Sequence, residues 1–267
     1  MWPVPNALLK ISPLDPWLPS LLRRYARIFK FRYSVERRQG VMLLLDQASK
    51  VDRNLLLKGA WEPESVAHIM SLMQRHAAQP GIRKIFLDVG AHGAFYALLA
   101  AKEIAFQRIV IVEADPANVA KIHANLLLNG LVGKAEVLHA FASGKAGQVS
   151  FNLTTDSSRS HSGAGAGSAS TVSSTQSIPA IVIGDVVQDR GACVVGKIDV
   201  EGHELEVLDG MEDLLRGNYG VLQIESHGEN VAPLYARMEA LGYILDRAIG
   251  HDHFFVKSGP AAVVQPA

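Results

Sequence analysis

Between residues 84 and 257, short apolar runs alternate with stretches in which apolar residues recur every three or four positions. The runs at 85–89, 109–112, 137–141, 194–199 and 221–225 are continuous and brief, the pattern of parallel strands buried on both faces. Between them, 95–104, 116–129, 204–215 and 231–241 carry helical spacing. Strand and helix in strict alternation predict consecutive βαβ units, and hence a doubly wound, mostly parallel sheet. Two late runs, 243–247 and 253–257, are joined by a short segment containing Gly250 and predict an antiparallel hairpin at the sheet edge. The expected fold is α/β and Rossmann-like, with seven strands.

The first 80 residues read differently. Prolines punctuate 1–17 and disfavour a long helix there. From 18 to 38, Leu18, Leu21, Leu22, Tyr25, Ile28 and Phe29 recur at helical spacing beside Arg23, Arg24, Arg27, Lys30, Arg37 and Arg38. This predicts a basic amphipathic helix, either packed on the main domain with a solvated basic face or in peripheral contact with an anionic membrane. A second helix is expected at 62–77, stopped by Gln79-Pro80-Gly81. The organisation predicted is therefore a helical extension at 1–80, a main domain at 81–258 and a flexible tail at 259–267. Within the main domain, 154–177 is almost entirely Ser, Thr, Gly and Ala and lacks the apolar groups that offset ordering entropy. It is expected to be a flexible loop, inert or acting as a lid.

Composition narrows the function. A chain of 267 residues that is 48% hydrophobic can bury one substantial core. Twenty-six Lys and Arg balance 26 Asp and Glu, so no global field would hold the protein on nucleic acid. A single cysteine, Cys193, excludes an internal disulfide or a cysteine-built metal site. The absence of a signal-peptide-like start or a long apolar span predicts a cytoplasmic protein.

Ligands of open α/β sheets bind outside the carboxyl ends of the strands. The first strong strand ends there in Asp88-Val89-Gly90-Ala91-His92-Gly93-Ala94 and runs directly into a helix. Gly90 and Gly93 permit a tight turn, but the spacing is not the G-x-G-x-x-G of pyrophosphate sites, and the Asp88 carboxylate favours a cationic ligand over an anionic one. The second strand ends in Glu113, placed to accept both hydroxyls of a ribose. The bland alternatives are that Asp88 caps the turn and that Glu113 is merely solvated. The fourth strand ends in Lys197-Ile198-Asp199-Val200-Glu201-Gly202-His203-Glu204, dense in titratable groups. Asp199 and Glu201 would share a side if the strand continued that far, and His203 is of the residue type best suited to general base work near neutral pH. Alternatively, Glu201 and Glu204 simply favour a helix N-terminus. Glu225 and His227 end the next strand as a second acid and base set. These groups could also hold a divalent cation, but the spacing demands none and no metal is expected.

Five stretches together resemble the FkbM family of methyltransferases, over roughly residues 41–257: FLDVGAHGAFYALLAA, IVIVEADPANVAKIHANLLLNG, IPAIVIGDVV, GKIDVEGHELEVLDGM and VLQIES. The resemblance implies a class I methyltransferase fold, S-adenosylmethionine as cofactor, and a hydroxyl of a sugar, glycolipid or natural product as acceptor. It implies further that Asp88 and Gly90 line the methionine side, Glu113 the ribose, and Ala142-Ser143 the adenine; His92, Gly93 and Asp199 are further candidate cofactor-binding residues. His203, Asp199 and Glu201 are the candidate catalytic residues. The first motif departs from the family's D-V-G-A-N-x-G, with His92 for Asn and Ala94 for the last Gly. That departure keeps open a non-catalytic partner subunit that still binds the cofactor. A nicotinamide-dependent oxidoreductase shares the fold but lacks its phosphate fingerprint here.

Overall fold

The computed structural model describes residues 32–77, 81–154, 161–162 and 172–259. The described residues open with a hairpin, β1 (Tyr33–Arg38) and β2 (Val41–Asp46), followed by α1 (Lys50–Lys58) and α2 (Pro63–Ala77). Next come β3 (Lys84–Val89), α3 (Phe95–Glu103), β4 (Arg108–Glu113), α4 (Pro116–Leu128) and β5 (Glu136–His139). Four short or exposed strands follow, β6 (Phe141–Ala142), β7 (Gly147–Thr154), β8 (His161–Ser162) and β9 (Val172–Ile181), and then α5 (Ile183–Val186). The chain continues through β10 (Cys193–Ile198), α6 (Glu204–Gly210), α7 (Glu212–Arg216), β11 (Tyr219–Glu225), α8 (Val231–Ala240), β12 (Ile244–Ile249) and β13 (Asp252–Lys257).

The central sheet has seven strands in the order β12-β13-β11-β10-β3-β4-β5. β11, β10, β3, β4 and β5 are parallel, and the β12–β13 hairpin closes the edge antiparallel to β11. Side chains alternate between the two faces, as the strand period requires. Phe86, Ile111, Val195 and Val221 pack with α2, α3 and α4 through Ile69, Leu72, Leu98 and Ile122. Ile85, Leu87, Val110, Val194 and Leu222 face the opposite way, onto Val207, Leu214 and Leu234 of α6, α7 and α8. The sheet is thus doubly wound, as its pattern predicts, and β10 is buried at every position.

Three expectations need correction. Residues 33–38 are a strand rather than the end of a helix, because the two-residue turn Gln39-Gly40, φ 44° and 90°, folds β1 back onto β2. The rest of the expected amphipathic helix, 18–31, lies outside the described residues, as do 1–17 and 260–267. The extension is also not purely helical, since it holds β1 and β2, and its Val41, Leu43, Leu45 and Leu55 enter the same core cluster as Phe95 and Leu98. Residues 172–177 of the expected loop belong to β9, which pairs with β7 from Gly147↔Ala180 to Thr154↔Val172. β6, β9, β7 and β8 form a second sheet, reached because the run predicted at 137–141 splits between β5 and β6. Residues 155–160 and 163–171 lie outside the described residues. No helix among the described residues is long and apolar enough to cross a membrane.

Candidate active site

The carboxyl ends of β3 and β10 meet at Gly90. This residue has φ +76°, and a Cβ on it would collide with the carbonyl oxygen of Asp199. Only glycine allows the two strand-end turns to approach this closely. The turn continues through His92 (φ 52°) and Ala94 (φ 58°), both left-handed, before α3 begins.

This turn is braced on all sides. Oε2 of Glu113 accepts the His92 N–H at 2.7 Å, and Oε1 accepts the Asp115 N–H at 2.8 Å. Asn125 of α4 donates to the Gly93 carbonyl at 2.8 Å. The His92 ring lies 3.0 Å from Ser49 Oγ and 3.2 Å from Lys121 Nζ, and Lys121 is itself 2.9 Å from Asp52. Asp52 and Lys121 are both buried, so α1 is tied to α4 across the turn by an ion pair. The imidazole that departs from the family's Asn is therefore part of a polar cluster.

Asp88 is buried and accepts the Ala97 N–H at 2.9 Å, which caps α3. Burial pushes its carboxyl up to about 7, against the Ala97 hydrogen bond and the pull of Lys197. Glu113 is likewise raised by burial, although its backbone hydrogen bonds oppose the shift. Asp88 therefore does cap the turn while also lining a cleft, whereas Glu113 is buried on backbone N–H groups rather than merely solvated. That cleft encloses ≈ 570 Å³ of space continuous with solvent. Asp88, Gly90, His92, Gly93, Lys197 and Asp199 form its polar wall, and Leu43, Leu45, Val51, Leu55, Trp61 and Phe95 its apolar one.

The cluster after β10 is partly rearranged relative to the sequence expectation. β10 ends at Ile198, so Asp199 and Glu201 do not share a strand face. Glu201 sits exposed in a turn with φ 53°. Glu204 caps this turn by accepting from the Val200 and Gly202 N–H groups at 3.2 and 3.0 Å. His203 precedes α6, with Nδ1 3.1 Å from Glu206 and its ring edge-on to Phe141 at 5.1 Å. Neither Glu201 nor His203 lines the cleft, whereas Asp199 does. Ala142 is buried, and Ser143 donates its N–H to the Ile181 carbonyl at 2.9 Å; neither is among the residues that line the cleft.

A buried network that sequence reasoning does not find lies behind Asp199. Lys197 Nζ is 2.9 Å from Asp252, 3.4 Å from Asp199 and 4.0 Å from Glu225. Burial opposes its charge, but the surrounding acids hold its pKa well above the ordinary lysine value. Tyr96 donates to Glu62 at 2.7 Å and accepts from Gln223 at 3.0 Å, while its ring stacks under Lys197 at 5.4 Å. Burial, and after it the neighbouring Asp199 carboxyl, push Glu225 up to about 9. The available signal is Lys197 and Gln223, polar residues inside otherwise apolar strands and directly paired across β10 and β11.

A doubly wound sheet of this order, closed by an antiparallel hairpin, with acids at the ends of β3 and β4, defines a Rossmann-like methyltransferase of class I. The Methyltransferase FkbM domain model matches residues 88–245, more than half of the chain, and the chain belongs to that family. Among solved structures, it is similar to the methyltransferase FkbM of Methylobacillus flagellatus KT, with 15% identity, 91% of this chain and 61% of that one covered, and a TM-score of 0.47. A putative transferase of Pyrococcus horikoshii matches with 11% identity over 96% and 95% of the two chains, at a TM-score of 0.49. TYW2 of M. jannaschii, solved in complex with AdoMet, matches with 11% identity over 85% and 88%, at 0.44. No curated protein matches the sequence significantly.

Proposed function

We propose that this chain transfers a methyl group from S-adenosylmethionine to a hydroxyl of a sugar, glycolipid or related natural product. The observation that carries the reading is the cleft at the Gly90–Asp199 junction, where two carboxylates from neighbouring strand ends face an apolar wall. Its donor set fits the cofactor: a sulfonium and an amino group are cations, and the acids that would repel a pyrophosphate receive them. Asp88, Gly90, His92, Gly93 and Asp199 would hold the methionine end, Glu113 the ribose, and Ala142-Ser143 the adenine. When bound, the cofactor supplies an electrophilic methyl group.

The protein's own task is then to orient the acceptor oxygen and to take its proton. Positioning two reactants in one cleft supplies about 7–11 kcal/mol of barrier reduction, and general base assistance about 10²- to 10⁴-fold. Asp199 is the base best placed, since it alone of the candidate catalytic residues reaches the cleft. The test is release of S-adenosylhomocysteine from S-adenosylmethionine across a panel of hydroxylated acceptors. With a turned-over acceptor in hand, Asp199→Asn should lower kcat by about 10²- to 10⁴-fold. Full turnover by that variant would move the base to His203 or Glu201, and absence of turnover with every acceptor class would argue for the non-catalytic role.

A further inference from the structure

Asp199 directly follows β10 and Glu225 ends the neighbouring parallel strand β11, one position beyond the paired Ile198 and Ile224, and both carboxyls converge on Lys197 Nζ, at 3.4 and 4.0 Å. Two acids that share one cation at neighbouring strand ends repel each other when both are ionised, and a proton on one of them relieves that repulsion. The pair sits against other charged and titratable groups on every side. Lys197 approaches from β10 and Asp252 from β13, with Asp252 held below its ordinary value: burial raises it, but Lys197, Ser65 and Gln223 outweigh burial. Glu62, ahead of α2, and Tyr96 of α3 complete the buried side. His227 lies 2.9 Å from Glu225 and stacks on His251 at 4.0 Å on the open side, and Asp88 shares the cleft. Lys197 is thus one cation among five acids, Asp88, Asp199, Asp252, Glu225 and Glu62, and burial raises Asp88, Glu225 and Glu62.

We propose that Asp199 and Glu225 act as one proton-holding pair, which loses its proton when a sulfonium ligand enters the cleft and, once anionic, receives the proton of the acceptor hydroxyl. The proposal rests on the cofactor reading above. It balances: the acceptor oxygen forms its bond to the methyl carbon, the electron pair of the carbon–sulfur bond stays on sulfur, and the O–H proton passes to the pair. The positive charge that had kept the pair ionised disappears in the same step, so the pair's affinity for that proton returns when it is needed. Lys197, fixed by Asp252, positions both carboxyls rather than taking part in the transfer.

The sign of the pH dependence follows from linkage. A ligand that expels a proton binds more tightly as pH rises toward the pKa of the group that loses it, by up to about tenfold per pH unit. At pH 8, above the value of about 7 for Asp88 and below about 9 for Glu225, the pair is the group that responds. Calorimetry at pH 8 in buffers of different ionisation enthalpy, with S-adenosylmethionine and the neutral thioether S-adenosylhomocysteine, counts the protons released on binding. The wild-type protein should release close to one proton more with the sulfonium than with the thioether, and Glu225→Gln should bind both ligands with that difference abolished. Equal proton counts for two bound ligands in the wild type would overturn the pair while leaving the cofactor reading intact. Binding of neither ligand would overturn both.

Discussion

Ala94 carries a methyl group in a left-handed conformation, φ 58° and ψ 31°, at the start of α3. That conformation costs an L-residue about 1–2 kcal/mol, and glycine would relieve it. Against the relief stand the loss of a buried methyl, about 0.8 kcal/mol, and the greater freedom of glycine in the unfolded chain, about 0.4–1 kcal/mol. The terms nearly cancel, so Ala94→Gly should stay within about 1 kcal/mol of the wild type in denaturant titrations and keep its affinity for S-adenosylhomocysteine. A loss of affinity in the folded variant would show that the methyl shapes the site. At this scale Asp88, Glu113 and Asp199 are legible in the sequence because each is a carboxylate directly at the end of an apolar run, where the strand must stop and the ligand side of the sheet begins. His203 draws attention as a histidine just past a strand end, yet its place before α6 turns it to Glu206 and Phe141. Lys197 and Gln223 show in the sequence only as polar residues inside apolar strands, a signal that gains meaning once their neighbours across the sheet are known.

The clamp between α1 and α4 belongs to the scale of elements. Asp52 is raised by burial and drawn back down by Lys121, and the pair holds the hairpin extension against the turn that carries His92. Removing one partner leaves a buried charge uncompensated, a loss of about 3–5 kcal/mol, whereas apolar replacement of both is often nearly neutral. Lys121→Met should therefore cost several times more stability in urea than the double change with Asp52→Leu. If the single and double variants are equally destabilised, the ion pair is not what ties the extension down. Nothing in the sequence announces this contact, because the two residues lie 69 positions apart. β1 resembles a helix end in sequence because its basic residues also suit a helical face, and the turn at Gln39-Gly40 decides the matter. β9 is invisible for another reason: its Ser, Thr and Gln residues are exposed at 174–177, so the backbone ladder with β7 rather than apolar burial defines the strand.

For the molecule as a whole, alternation of strands and helices makes the central sheet readable, because strands buried on both faces leave continuous apolar runs. The second sheet and the docking of the extension depend on long-range pairing that leaves no periodic trace. What the assembled parts form is one cleft with an acidic wall at the junction of β3 and β10, and the function depends on what enters it. Titration calorimetry of the full chain with S-adenosylmethionine, S-adenosylhomocysteine and NAD addresses this directly. Saturable binding of both sulfur ligands at one site per chain, with no heat from NAD beyond dilution, is the expected result; binding of NAD with no response to either sulfur ligand would contradict it.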